Sequence, residues 1–162
     1  MCIRDSYGDT PVYVTPDGAT LSYAELDTVS DAVAAGLAGR GVGVGDLIGL
    51  LLPSGAAYAV TYVAAAKIGA VTAGVNDRLS PPERRRCLEI AGPRLVIASE
   101  ELAATTGVGT VEGIGEIVEV DAGGPPVQTL AVLRTSGADV APLPADPDRP
   151  VAVVFTLSLI HI

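Results

Sequence analysis

Leu47-Ile48-Gly49-Leu50-Leu51-Leu52, followed by Pro53-Ser54-Gly55, the small-residue run Ala56 to Ile68 and then Gly69-Ala70-Val71-Thr72-Ala73, decides how this chain folds. The first six residues show no polar alternation, as expected of a strand covered on both faces in a parallel sheet. Pro53 to Gly55 read as a turn, Ser54 as the cap of a helix over Ala56 to Ile68, and Gly69 to Ala73 as a returning strand. Lys67 is the single formal charge between Leu47 and Val75, so a membrane span has to be weighed. The Pro53-Ser54-Gly55 break, a lysine at depth and an Ala-dominated helix, which gains little from lipid, all count against it. No transmembrane segment is expected.

Reading outward toward the N-terminus, Val12-Tyr13-Val14 and Ala19-Thr20-Leu21 flank Thr15-Pro16-Asp17-Gly18, a hairpin in which Pro presets one turn position and Gly supplies positive φ. Ser22 and Glu25 form a capping box, Leu21 and Leu26 a hydrophobic staple, and Leu26, Val29, Val33 and Leu37 one apolar stripe that Gly39 and Gly41 end. Toward the C-terminus, Ser80, Pro81 and Glu83 announce a third helix that stops near Gly92-Pro93, with Leu95 to Ala98 as the next strand. Beyond Glu101 the pattern weakens. Gly107 to Gly115 reads as a flexible connection, Ile117 to Val120 as a strand, Val127 to Leu133 as a short helix or irregular segment, and Arg134 to Pro150 as a surface connection. Val151 to Phe155 is a last strand. Alternating strands and helices of these lengths predict an α/β fold, a doubly wound, mainly parallel sheet with flanking helices.

The two ends encode each other. Met1 to Ser6 can be written ATG TGT ATA AGA GAC AG, whose reverse complement translates as Leu-Ser-Leu-Ile-His-Ile, the sequence of Leu157 to Ile162. Residues 1–6 and 157–162 are therefore expected to be a sequencing-adapter tag, and residues 7–156 the natural insert. The one Met, the one His (His161) and Cys2 go with the tags, leaving Cys87 as the insert's thiol. A His-based triad, a zinc site and a disulfide framework are excluded on that reading, and no metal site is expected.

The chain is 49% apolar but only 4% aromatic, carries a net charge of −9 and has a pI near 4.4. No basic face is offered to a phosphate backbone, so no nucleic-acid partner is expected. Arg84-Arg85-Arg86 reads as the solvated side of a helix, and Cys87 as a buried small hydrophobe. The run Gly39, Gly41, Gly43, Gly45 misses the dinucleotide fingerprint: Val44 or Asp46 stands where the third Gly belongs, and the run follows a helix rather than opening one. Asp46, Asp77 and Glu83 read as turn or capping groups. No acidic cluster is found after Leu52, Ala73 or Ala98, and no catalytic residue is assigned.

A series of motifs goes further. Leu21-Ser22-Tyr23-Ala24-Glu25-Leu26, Gly41-Val42-Gly43-Val44-Gly45-Asp46, Leu50-Leu51-Leu52-Pro53-Ser54 and Ala64-Ala65-Ala66-Lys67-Ile68-Gly69-Ala70-Val71, then Asn76, Arg78, Leu79 and Glu83, resemble the N-terminal part of the AMP-forming acyl-CoA synthetases. The order holds from about Pro11 to Ala98. In that family an Asp-x-Pro approach leads through an apolar strand to a Thr-Ser-Gly-Thr-Thr-Gly phosphate loop. Here Asp146-Pro147-Asp148-Arg149-Pro150 leads through Val151 to Phe155 into Thr156.

The resemblance implies an incomplete N-terminal portion of the synthetase large domain, with Thr156 the first residue of the ATP phosphate loop. It further implies a cytoplasmic parent that activates a carboxylic acid with ATP and Mg²⁺ and passes the acyl group to CoA. The remaining functional residues would lie downstream, so this stretch alone is expected to bind no cofactor and to be inactive. A peptide-synthetase-type adenylation domain and a non-catalytic flavodoxin-like binding domain are the alternatives.

Overall fold

The computed structural model describes residues 7–135 and 140–155. A two-stranded antiparallel hairpin, β1 (Pro11–Val14) and β2 (Thr20–Ser22), opens it. Five strands follow in one sheet: β3 (Leu47–Leu51), β4 (Val71–Gly74), β5 (Leu95–Ser99), β6 (Glu116–Val120) and β7 (Ala152–Val154). Their spatial order is β6-β5-β3-β4-β7, and every neighbouring pair is parallel. Four helices accompany them: α1 (Tyr23–Gly39), α2 (Ala56–Lys67), α3 (Pro81–Ala91) and α4 (Glu100–Thr106).

The period-two geometry of the strands divides the core in two. Ile48, Leu50, Leu95, Ile97, Val118 and Val120 face Val33 and Leu37 of α1 and Val60 and Ala64 of α2. Leu51, Val96 and Ala98 face the other way, onto Cys87 and Leu88 of α3 and Ala103 of α4. Helices therefore cover both faces, the doubly wound arrangement expected from the unalternating strands. β7 is the exception, with all three residues exposed at the sheet's edge.

Local chemistry explains most of the boundaries. Ser22 and Glu25 close a reciprocal capping box on α1, and the Ser80 backbone N–H donates to the Glu83 carboxylate at 2.8 Å on α3. Lys67, at the end of α2, ties that helix to α1: its Nζ lies 2.7 Å from Asp27 Oδ1 and 2.6 Å from Asp31 Oδ1. Asp46 accepts from the Gly43 N–H and so closes the turn before β3.

Three expectations are corrected, and one helix was not anticipated. Ser54 does not cap α2, because Gly55 takes the extended N-cap position and no side chain caps the helix. Arg84 is not solvated: it is 5% exposed, and its guanidinium donates to Thr105 Oγ1 at 3.0 Å and to the Asp77 carbonyl, while Arg85 and Arg86 do face outward. Gly107 to Gly115 is a packed connection, with a 3₁₀ turn at Val108–Thr110 and with Val108 and Val111 buried. Helix α4, between β5 and that turn, has no counterpart in the sequence reading; its Ser99 cap accepts from the Leu102 N–H.

Between β6 and β7 the chain lays a strap over α1, built from 3₁₀ turns at Pro126–Gln128 and Ala131–Leu133. The Arg134 guanidinium holds the strap's first turn by donating to the Val127 and Thr129 carbonyls, and the Thr135 N–H donates to the Ala32 carbonyl. A Cβ on Gly36 would stand 1.6 Å from the Leu133 carbonyl oxygen, so glycine is what lets the strap lie this close.

Candidate functional site

All five strands of a parallel sheet end on the same edge, and in open α/β sheets ligands bind outside the carboxyl ends where the strand order reverses. The chain runs from β3 through α2 to β4 on one side, then through α3 to β5 on the other. The reversal therefore lies between the ends of β3 and β5. A groove of about 580 Å³ opens there, lined by Pro53 after β3, Ser99 at the end of β5 and Glu100 after it, and Glu119, Asp121 and Gly123 from β6 and the turn beyond it.

With Glu101 added, this groove presents four carboxylates and no cation. The reading that no acidic residues gather after Ala98 is thereby corrected: Glu100 and Asp121 are distant in sequence and meet because β5 and β6 pair in parallel, with Ser99 beside Val120. Four like charges on one wall disfavour a bound phosphate. Among the described residues no group of three or more His, Cys, Asp or Glu is arranged to hold a metal ion.

A second groove, about 350 Å³, lies at the ends of β3 and β4 and is lined by Leu52, Ser54, Tyr58, Gly74, Val75, Asn76, Asp77 and Arg78. Tyr58 reaches it from α2 because β4 ends in glycine: a Cβ on Gly74 would stand 2.1 Å from the Tyr58 hydroxyl. Burial raises the Tyr58 phenol above its ordinary range, and neighbouring Tyr62 adds to this. Asn76 Oδ1 accepts from the Arg78 N–H at 2.9 Å, shaping the loop that carries the arginine.

Thr156 lies outside the described residues, as do His161 and both proposed tags. What precedes Thr156 is placed: β7 pairs in parallel with β4, Val154 beside Gly74, so Phe155 leaves the sheet at the edge that carries the second groove. Cys87 is a buried free thiol held above its usual pKa by burial and, secondarily, by the Glu83 charge, which agrees with its reading as a core residue. No helix of the described residues is long and apolar enough to cross a membrane.

Comparison with known proteins adds four findings. The family model for AMP-binding enzymes matches residues 4–156. The chain is 32% identical over 127 residues to 4-coumarate–CoA ligase 5 of Oryza sativa subsp. japonica, covering 78% of this chain and 23% of that one. It is 30% identical over 148 residues to the fatty acid–[acyl-carrier-protein] ligase ScoC of Streptomyces coeruleorubidus, covering 86% and 26%. Among solved structures, the N-terminal domain of FACL13 from Mycobacterium tuberculosis superposes with a TM-score of 0.80 at 23% identity, over 96% of this chain and 40% of that one. The chain thus spans about a quarter of the length of these two relatives. Sheet order, helix placement and the match along nearly its whole length lead to one conclusion: the chain belongs to the AMP-binding enzyme family.

Proposed function

We propose that residues 7–156 are the opening part of the large domain of an adenylate-forming acid–thiol ligase, and that residues 1–6 and 157–162 are adapter-encoded. The observation that carries the ligase reading is the family match over residues 4–156, supported by β7 delivering Phe155 to the carboxyl edge of the sheet; the adapter reading rests on the reverse-complement coding of the two ends.

The reaction proposed for the whole ligase is carboxylate activation. A carboxylate resists nucleophiles because its charge is delocalised and oxide leaves poorly. The carboxylate oxygen would attack the α-phosphorus of ATP, with Mg²⁺ neutralising the phosphates and pyrophosphate leaving, to give an acyl-adenylate; the thiol of CoA would then attack the acyl carbon, losing its proton as AMP departs. Such chemistry rests on positioning and on stabilising phosphoryl charge. The described residues do not fit the complete nucleotide and its metal, since the larger groove is lined by carboxylates and no metal-holding cluster is present among them. No catalytic step is assigned to them. Their part is to build the edge onto which later segments dock, and a cytoplasmic location accompanies the reading.

The test is ATP–pyrophosphate exchange. The longer gene product is expected to show exchange that depends on added carboxylic acid, and the 162-residue chain none. Carboxylate-dependent exchange by the 162 residues alone would refute the scaffold role. The likeness to ScoC supports a second acceptor, a carrier protein in place of CoA; thioester formation with each acceptor in parallel separates the two.

A further inference from the structure

We propose that the free flank of β7 pairs with a second copy of this chain, the two strands running antiparallel about a twofold axis at Val153. β7 lies at one end of the sheet and is bonded to β4 alone. The Val151 carbonyl accepts from the Thr72 N–H at 3.0 Å, so residues 151 and 153 turn their main-chain groups toward β4. Those of Ala152 and Val154 therefore turn outward, as the alternation of a strand requires. Such an edge is a template for another strand unless charge, proline or a bulge blunts it. Val151 to Phe155 contains no charge and no proline, and the register against β4 is regular from Ala152 to Val154. Its apolar side chains are uncovered, with Val151, Val153 and Val154 all exposed.

The occupant follows from self-complementarity. A twofold axis at Val153 sets Ala152 of one copy opposite Val154 of the other, where each donates to and accepts from its opposite. Val153 then meets Val153, a β-branched pair that favours a ladder. The opposite edge of the sheet does not offer this. Pairing β6 with itself would bring the exposed Glu116 and Glu119 up against their own copies, and like charges across a ladder are unfavourable. A three-residue ladder between chains of net charge −9 makes a weak contact, with a Kd of about 100 μM. This self-association goes beyond the ligase reading and does not depend on it.

The experiment is sedimentation velocity of the 162-residue chain across a concentration series, with amide hydrogen–deuterium exchange on the same samples. A monomer–dimer equilibrium is expected, and the Ala152 and Val154 amides should exchange more slowly as the dimer fills. Val154→Lys is expected to weaken association about tenfold. That change lowers the net negative charge, so long-range repulsion alone would predict the opposite. Val132→Lys, at a comparably exposed valine on the strap, is expected to leave the dimer as it is. A chain that stays monomeric up to about 1 mM, ten times the expected Kd, would overturn the pairing. A dimer that Val154→Lys leaves intact would do so too. So would protection of the Ala152 and Val154 amides in the dilute monomer, which would mark another segment of the same chain on that flank.

Discussion

At Cys87 the environment sets the chemistry. The thiol is enclosed between α3 and the sheet, and desolvation followed by the Glu83 charge raises its pKa. Because the thiolate is the reactive form, Cys87 is expected to resist alkylation by iodoacetamide at neutral pH until urea unfolds the chain. The sign of the linkage follows. The folded pKa is raised, so this contribution to stability is intact below the ordinary thiol pKa and is lost as pH climbs through the folded value. Urea midpoints measured from neutral to alkaline pH should fall less for Cys87→Ala, after correction for its own baseline. The capping serines make a second comparison. Ser80→Ala is expected to cost about 1 kcal/mol in urea unfolding, whereas Ser54→Ala should stay within about 0.5 kcal/mol. The Ser80 and Ser22 boxes were legible because donor, acceptor and spacing lie within four residues. Ser54 misled because the cap is whichever residue turns extended just before the helix, and Gly55 occupies that place.

At the scale of elements, the β-α-β alternation was readable from unpolarised strands and small-residue helices, while the pieces that depend on distant partners were not. Helix α4 is only Glu100–Thr106, too short for a convincing apolar period, and its packing comes from contacts with α3 and β6. The strap over α1 is held by main-chain carbonyls that accept from Arg134, and by a shallow stretch of helix surface at Gly36. It also places Leu130 at φ 60°, a left-handed conformation rare for a branched side chain, with that side chain buried. Gly36→Ala must lift the strap off the helix. The expected loss is about 1–3 kcal/mol by urea denaturation, in the range of overpacked cores. The same substitution at Gly43, whose added Cβ would meet nothing, is the control.

For the whole molecule, the fold was far more legible than the site. Sheet pairing decides which strand ends become neighbours, and no local pattern announces that Glu100 and Asp121 share one wall while Tyr58 and Arg78 share another. The resemblance to acyl-CoA synthetases could supply a family but assigned one residue, Thr156. The outer strand β7 carries a further consequence. It is three residues long, bonded along one flank to β4, with Val154 74% exposed, whereas β3 is bonded on both flanks and sealed beneath helices. Opening free energies in a native protein range from near zero at its margins to the global value at its centre. Amide hydrogen–deuterium exchange should therefore proceed fastest, among the five strands, at Val153 and Val154, and slowest at Ile48 and Leu50. Opening of the sheet is thus expected to start from this one flank, and any strand that paired with it would act as a latch.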